Sequence, residues 1–319
     1  MTATMTRIPG GDLLAGGTLT QLAELPAFRG ATVVRIEPLS RACVRVHFSD
    51  DRRAVVTAAT ACAHGSVAHE AAVLARLHPL GLPVARPVAT LTGTTTVLVT
   101  DDAVGFAALD RRRAQAGGSS IAWAAAVGRG LASVHTGVTP ARLPQTDPAR
   151  HLLRAWTTGH PSGGAASFVH EFDLADVLAD AVGGWRPSSL VHGNVRTRTV
   201  LCGNSPDGQR PLLFIDWSRA GHGDPRWDVG CLIAGYLAGW LRRAGDGAAF
   251  APVQAEIRAA TGAYAAIRPM TASDRRQALR YAAIALLREA SADGGAPAAL
   301  VEVAAHLLRR PDACGELLP

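Results

Sequence analysis

The sequence contains no lysine: all 32 of its basic side chains are arginine, and the 319 residues carry a net charge of +6. A guanidinium stays protonated in a protein, so chemistry that needs a neutral amine is excluded. This covers Schiff bases and lysine-activated nucleophiles, and the absence of lysine also excludes a P-loop of the GK(S/T) type. Arginine without lysine, together with abundant alanine and glycine, is typical of proteins encoded by GC-rich genomes. The absence therefore gains meaning only if a site is found that requires a lysine.

Cysteines and long apolar runs are also scarce. The five cysteines are odd in number, widely spaced and free of CxxC pairs, which argues against disulfides or a zinc site and for a reducing cytoplasm. The longest apolar run, Val229 to Leu241, spans about 13 residues and is too short to cross a bilayer. We therefore expect a cytoplasmic protein with no membrane partner.

Charge is sparse as well, at 18% of residues, and diffuse. Its one run, Arg111 to Arg113, is more typical of a solvated helix start than of a nucleic-acid surface, and no nucleic-acid motif accompanies it. With 48% hydrophobic residues, the chain can bury a sizeable core. We expect no nucleic-acid partner.

The first hundred residues have a strand-like texture. Alternation of apolar and polar side chains predicts strands, and Ser66 is placed to cap a helix that Gly81-Leu-Pro83 ends. The predicted order is three strands, a helix and two strands: 31–37, 43–48, 54–57, 67–77, 84–89 and 94–99.

The rest of the chain changes to helical spacing. Two short strands, 200–202 and 211–216, are joined by a predicted turn at Ser205 to Gly208 and follow an irregular stretch, 188–199. The predicted helices are 121–135, 152–156, 168–182, 229–241, 252–267, 272–290 and 297–310. We divide the chain into a loose leader with one short helix (1–25), a β-rich lobe (26–100), a hinge (101–106) and a helical lobe (107–319), an α+β plan.

Three ordered motifs occupy the centre of the helical part. The first is His192-Gly193-Asn194 with Thr199 five residues after Asn194, the second Ile215-Asp216-Trp217, and the third Gly223-Asp224-Pro225 with Asp228. Together they resemble the aminoglycoside phosphotransferase branch of the protein-kinase-like fold. That family has a His-Gly-Asp-x-x-x-x-Asn catalytic loop, an Ile-Asp-Trp or Ile-Asp-Phe strand end and a Gly-Asp-Pro-x-x-Asp turn.

The resemblance extends to other segments and implies a fold. Ala68 to Leu74 is similar to the family's αC helix, and Gly128 to His135 to its helix ending in Leu-His. The implied architecture is two-lobed, with a small β-rich N-lobe containing the αC helix and a large helical C-lobe containing the catalytic loop.

The resemblance also implies roles for individual residues. It places Asp216 at the metal-binding aspartate, Glu70 at the αC glutamate and His192 in the frame of the catalytic loop. Thr100 and Asp101 fall at the hinge positions that border the nucleotide. The implied cofactors are ATP and Mg²⁺.

Three positions depart from the family pattern. The catalytic aspartate falls on Asn194, the second metal ligand on Thr199 and the third-strand lysine on Thr57. An amide cannot accept a proton at neutral pH, Mg²⁺ prefers carboxylate oxygens, and a threonine cannot pair with Glu70. The expected phosphate loop, 38–43, contains no glycine, so it lacks a permissive backbone.

Two readings of these departures stay open, and both keep ATP and Mg²⁺ as open questions. The favoured one is a degenerate phosphotransferase-like protein, a pseudokinase that acts as a nucleotide-, peptide- or partner-binding subunit in a biosynthetic complex. The alternative is an active but atypical ATP-dependent phosphotransferase that modifies a hydroxyl of a small molecule, an antibiotic or a peptide. Both expect a small-molecule or peptide substrate in the interlobe cleft.

Two further expectations concern single side chains. An arginine could replace the missing lysine beside Glu70, and the candidates are Arg35, Arg41, Arg45 and Arg53. Asp224 and Asp228 are expected to satisfy backbone donors at the start of the helix near Val229, and His192 to shape the loop.

Overall fold

The chain divides into two compact units. The computed structural model describes residues 17–40, 42–58, 66–92, 95–115, 121–139, 143–158, 164–203, 211–244, 247–292 and 298–318. The first unit runs to Gly105 and also includes Ile215–Arg219, and the second comprises Phe106–Phe214 and the chain from Ala220 onward.

Within the described residues, the first unit contains a five-stranded antiparallel sheet and two α-helices. Its elements are α1 (Thr18–Glu24), β1 (Val33–Ser40), β2 (Cys43–Phe48), β3 (Arg53–Ala58), α2 (Val67–Leu77), β4 (Pro87–Leu91) and β5 (Val97–Asp101). The strand order is β1-β2-β3-β5-β4. The side chain of Ser66 caps α2 by accepting a hydrogen bond from the backbone N–H of His69.

Alternation along the strands gives this sheet two different faces. One face carries Val44, Val46 and Phe48 of β2 and packs against Leu22 of α1 and Phe28, forming the core of the unit. The opposite face carries Cys43, Arg45 and His47 of β2 and, directly across from the first two, Thr57 and Val55 of β3. This second face, called the Thr57 face below, holds the candidate site residues of β2 and β3.

The second unit is mostly helical. Its helices are α3 (Leu109–Gln115), α4 (Ile121–Gly137), α5 (Pro148–Thr158), α6 (Gly164–Glu171), α7 (Ala175–Gly183), α8 (Pro225–Ala244), α9 (Ala251–Ala265), α10 (Ala272–Ala292) and α11 (Ala298–Arg309). Five short strands form two small sheets: β6 (Ala107–Ala108), β8 (Val200–Cys202) and β9 (Leu212–Phe214) in one, β7 (Ser189–Val191) and β10 (Gly221–Gly223) in the other.

Alanine and glycine let the helices of the second unit approach closely. A Cβ at Gly128 of α4 would lie 1.9 Å from the carbonyl oxygen of Ala260 in α9, so no larger residue fits there. The aromatic core lies at the start of α8, where Trp227 meets Tyr281 of α10 with 5.7 Å between ring centres. The loop between β7 and β8 rests on this part of α8, because the indole N–H of Trp227 donates to the carbonyl oxygen of Gly193.

The order of three strands, a helix and two strands is confirmed for the first hundred residues, while several bounds were wrong. The predicted helix 168–182 is two helices, α6 and α7, because Asp173 between them has a left-handed backbone (φ 46°) that an α-helix cannot contain. Helix α8 begins at Pro225, four residues before the predicted start, since proline is favoured in a first turn. The predicted turn at Ser205 to Gly208 lies outside the described residues.

Five strands also differ in their bounds from the prediction: β1 covers Val33–Ser40 rather than 31–37, and β3 covers Arg53–Ala58 rather than 54–57. Strand β4 begins at Pro87 rather than at residue 84, β5 extends to Asp101, and β9 covers only Leu212–Phe214. Within the described ranges, no helix is long and apolar enough to cross a membrane.

Candidate active site

Thr57, which the sequence comparison predicts to stand in place of the family's lysine, has a neutral partner. Its hydroxyl donates to the Sγ of Cys43 at 3.5 Å across the β2–β3 pair. Burial raises the pKa of the Cys43 thiol, so that group is uncharged as well. The pair offers no positive charge at the point where the family's chemistry requires one.

Glu70 of α2 is buried, with 8% of its surface exposed, and its partner is a backbone amide. The N–H of Trp217 donates to its Oε1 at 2.9 Å. Burial, followed by repulsion from the carboxylate of Asp216, raises the pKa of Glu70 to about 7. No arginine of the described residues forms an ion pair with Glu70.

Asp216 follows β9 in an unusual backbone conformation. Its φ is 67°, in the left-handed region that few residues other than glycine adopt. The hydroxyl of Ser218 donates to its Oδ1 at 2.9 Å. The structure thus brings Asp216 and Glu70 together within the first unit, joined through Trp217, and the strained backbone fixes where the carboxylate points.

Arg45 lies on the Thr57 face and bridges two acids. Its Nη1 contacts Glu37 of β1 at 3.2 Å, and its Nε lies 3.0 Å from the Oδ2 of Asp102, just after β5. Strand β3 separates β2 from β5, and Val55 lies directly opposite Arg45 and opposite Thr100. The arginine side chain therefore passes over Val55 to reach Asp102.

None of the candidate arginines within the described residues pairs with Glu70. Arg45 pairs with Glu37 and Asp102 rather than with Glu70. Arg35 and Arg53 form no ion pair with Glu70, and Arg41 lies outside the described residues.

The two predicted hinge residues have different surroundings. Thr100 is half-buried on the Thr57 face, whereas Asp101 forms an exposed ion pair with Arg86, with 2.6 Å between Oδ2 and Nε.

In the second unit, Asp228 holds the loop that follows β7. Its carboxylate is fully buried and accepts from the backbone N–H groups of His192, at 2.6 Å, and Gly193, at 2.9 Å. The Nε2 of His135 lies 3.1 Å from the same carboxylate and its Nδ1 2.8 Å from the hydroxyl of Tyr264. A carboxylate only accepts, so Nε2 is the donor.

The two aspartates of the third motif have different tasks. Asp224 accepts from the backbone N–H of Arg226 at 3.0 Å, the helix-start role expected for it. Asp228 was expected to do the same, but its oxygens serve the loop after β7 instead. The ring of His192 is completely buried and its Nδ1 accepts from the backbone N–H of Asn194 at 3.2 Å, the loop-shaping arrangement.

Asn194 and Thr199 make hydrogen bonds within their own loop. The Oδ1 of Asn194 accepts from the Nε of Arg196 at 3.0 Å. The hydroxyl of Thr199 accepts from the backbone N–H of Arg196 at 2.9 Å and lies 3.2 Å from the carbonyl oxygen of Asn194, to which it can donate. Both residues are buried, so the loop closes on itself at the two substituted positions.

A divalent metal and a nucleotide triphosphate fit these residues poorly. No group of three or more His, Cys, Asp or Glu side chains that could hold a metal is found in the described part of the chain. Thr199 offers a hydroxyl already used by its loop, and Thr57 offers no charge to a phosphate.

Sequence reasoning missed two residues that the structure makes prominent, Arg196 and Asp102, and it named Arg45 only as a possible partner of Glu70. Arg196 lies two residues after Asn194, and its position inside the motif was the available signal. The pairing of Arg45 with Asp102 joins positions 57 residues apart and carries no local pattern.

Comparisons with known proteins agree with this architecture. The chain has a kinase-like fold. The description "Phosphotransferase enzyme family" matches residues 34–270, and the chain belongs to that family. No curated protein sequence matches it.

Solved structures share the fold at low identity. A choline kinase from Streptococcus pneumoniae has a TM-score of 0.60 at 14% identity, covering 91% of this chain and 96% of its own. A macrolide 2′-phosphotransferase from Brachybacterium faecium has 0.50 at 20%, covering 92% and 98%. An aminoglycoside phosphotransferase from Streptomyces rimosus, in complex with ADP and streptomycin, has 0.51 at 18%, covering 84% and 98%.

Proposed function

We propose that this protein is a degenerate phosphotransferase that binds a small molecule, a peptide or a protein partner without transferring phosphate from Mg²⁺–ATP. Phosphoryl transfer depends on positioned charge: a carboxylate at the acceptor hydroxyl, ligands for Mg²⁺ and a cation on the phosphates. Asn194 and Thr57 are neutral where the family pattern has a carboxylate and a cation, and Thr199 replaces an asparagine ligand by a hydroxyl that its own loop uses. The proposal rests on the joint loss of those groups.

The single observation that carries the proposal is the environment of Glu70. In an active site of this type, that glutamate forms an ion pair with the lysine that binds the phosphates of the nucleotide. Here it accepts a backbone N–H and faces the carboxylate of Asp216, and its pKa is raised to about 7. A site built for a triphosphate would place positive charge beside Glu70, whereas here the neighbouring carboxylate of Asp216 helps to raise the pKa of Glu70.

Two further features support the same reading. Only residues 41 and 42 separate β1 from β2, so the connection where the family's phosphate loop would lie is very short. The Arg45 side chain, on its way to Asp102, covers the centre of the Thr57 face. The adenine ring of a bound nucleotide would need that face for packing.

The second candidate, an active atypical phosphotransferase, is favoured by Asp216. Its left-handed backbone is a costly conformation of the kind that is retained at functional sites. Asn194 is also nearly isosteric with aspartate and could orient a hydroxyl. Structures with this fold have been solved in complex with AMP and with ADP, which keeps nucleotide binding in this chain open to experiment.

Titration calorimetry with ATP, with and without Mg²⁺, tests the proposal. A degenerate site predicts no binding, or weak binding whose affinity Mg²⁺ leaves unchanged. Asp216→Ala is the matched variant, and it should bind ATP with the same affinity as wild type, both with and without Mg²⁺. Tight binding that requires Mg²⁺ and is lost in Asp216→Ala would favour the active phosphotransferase.

A further inference from the structure

Arg288 of α10 is a buried cation with unused donors. Its Nε and Nη1 have no hydrogen-bond partner among the described residues and are shielded from solvent, and the residue is only 8% exposed. Its Nη2 reaches the Sγ of Cys231 at 4.0 Å, and the guanidinium lies 5.8 Å from the ring centre of Trp227. Burial raises the pKa of Cys231 to about 12, so the sulfur is an uncharged thiol and a weak acceptor.

A second guanidinium lies close by. Arg196 of the loop after β7 is largely buried, and burial together with repulsion from Arg288 lowers its pKa to about 9. Its Nη1 pairs with the Oε1 of Glu289 at 2.6 Å, and Arg242 contacts the Oε2 of the same carboxylate at 3.2 Å. Both oxygens of Glu289 are therefore engaged by arginines other than Arg288.

The neighbouring acid does not relieve this excess of positive charge. Asp228, which acts electrostatically on Cys231, already accepts from the backbone N–H groups of His192 and Gly193 and from His135. A buried guanidinium without an acceptor is unfavourable, and an acceptor brought by a ligand would remove that cost. The side chain of Arg196 is 11% exposed, so the cluster reaches solvent at that residue.

We propose that Arg288 and Arg196 form a binding site for an oxyanion, a phosphate or carboxylate group of the ligand that the helical unit recognises. The planar guanidinium fork matches both groups and hydrogen-bonds them with charge assistance. A cationic ligand would meet two guanidinium groups at this point and be repelled. This inference rests on the binding function proposed above, and it names the ligand class.

The test uses the full chain, without nucleotide, in Tris–chloride buffer. Sodium phosphate and sodium acetate are titrated in separate arms against sodium chloride at equal ionic strength, with thermal unfolding and calorimetry as readouts. The variant is Arg288→Gln, and Arg258→Gln, which removes an exposed arginine of α9, is the matched control. Wild type and the control should bind phosphate or acetate, and Arg288→Gln at least about tenfold more weakly.

The stability of Arg288→Gln in chloride alone gives a second readout. Because the change removes a buried charge that lacks an acceptor, its Tm should equal or exceed that of wild type. A Tm well below that of Arg258→Gln would overturn the proposal, since it would mean that the guanidinium is satisfied inside the protein.

The phosphate and acetate titrations distinguish the two classes of ligand. Stabilisation by phosphate alone assigns the site to a phosphorylated ligand, and by acetate alone to a carboxylate. No effect of either beyond chloride, or an effect that persists in Arg288→Gln, would overturn the proposal. The function proposed above can fail independently, because ATP turnover would refute that function while leaving this anion binding intact.

Discussion

Arg196 donates a 3.0 Å hydrogen bond from its Nε to the side-chain oxygen of Asn194, two residues earlier in the same loop. The oxygen that a catalytic carboxylate would offer to an acceptor hydroxyl is therefore engaged by a guanidinium. Glu289 holds that guanidinium from the other side at 2.6 Å. The arrangement links the substituted loop position to α10 and makes Asn194 part of a structural network.

Restoring the aspartate alone should not restore activity. In Asn194→Asp the new carboxylate would pair with Arg196, which lowers its basicity, and the neutral Thr199 and Thr57 would remain. General-base catalysis typically raises a reaction rate by roughly 10²–10⁴-fold. That gain cannot be realised in a site that lacks residues to bind the metal and the phosphates. We expect no ATP consumption above background, followed by a coupled assay and by mass spectrometry of candidate acceptors. The triple variant Asn194→Asp, Thr199→Asn, Thr57→Lys is the positive comparison, and strong turnover by the single variant would contradict the account.

Removing the carboxylate of Asp228 should destabilise the second unit. Asp228→Asn replaces an acceptor of two backbone N–H groups and of His135 in a fully buried place. The amide can accept at only one oxygen, so at least one buried donor is left unpaired, at a cost of about 3 kcal/mol in the free energy of unfolding. Denaturant unfolding measures this, with Asp176→Asn on the exposed side of α7 as control. If the free energy of unfolding of Asp228→Asn lies within about 0.5 kcal/mol of that of Asp176→Asn, the structural role given to Asp228 is contradicted.

Opening the Arg45 bridge should expose the Thr57 face. Arg45→Ala removes the side chain that passes over Val55 to Asp102, so an adenine nucleotide should bind more tightly to the variant than to wild type. Fluorescence titration with a labelled adenine nucleotide measures the difference. Arg35→Ala, an exposed residue of the neighbouring strand, is the control. Equal affinity in wild type and Arg45→Ala would show that the bridge does not obstruct the face.

The pH dependence of stability should report on Glu70. Its pKa is raised from 4.5 to about 7 by burial and by Asp216, so the folded state binds the proton more tightly than the unfolded state. This contribution to stability is fully present below pH 4.5 and is lost as the pH rises to 7. The loss amounts to at most about 3 kcal/mol.

The variant Glu70→Gln isolates that contribution. Glutamine stays neutral, so the variant should be more stable than wild type above about pH 7, and the difference should vanish near pH 4.5. Urea unfolding at several pH values, in buffer with a chelator, measures both curves. Glu24→Gln, which removes an exposed carboxyl at the end of α1, serves as the control. A constant difference across this range would contradict the assignment.

Local signals in the sequence predicted local structure well. The alternation of residues 43–48 predicted β2 with its observed bounds, and Ser66 before Val67 predicted the capped start of α2. Asp173 was missed because an aspartate inside a helical period carries no break signal until its φ of 46° is known. Pro225 was missed because the motif was interpreted as a turn before the helix rather than as its first turn.

The candidate site was predictable in its parts but not in its contacts. Of the residues selected by motif spacing, Thr57, Glu70, Asn194 and Thr199 lie on the predicted elements, whereas Asp216 lies two residues after the end of β9. Their functional roles stay predictions. The partners of these residues depend on long-range packing: Trp217 is 147 positions from Glu70, and Asp228 is 36 from His192. No local pattern specifies such pairs, and Arg288 became notable only because its donors lack acceptors among the described residues.

The central claim is that this chain does not transfer phosphate from Mg²⁺–ATP, and ATP turnover by the pure protein tests it most directly. Wild type and Asp216→Ala are incubated with Mg²⁺–ATP and a panel of hydroxyl-bearing acceptors, and ADP release is followed together with the mass of each acceptor. The account predicts equal, background-level ADP release from the two proteins and no acceptor that gains a phosphoryl group. Clear ADP release by wild type that is abolished in Asp216→Ala would contradict it.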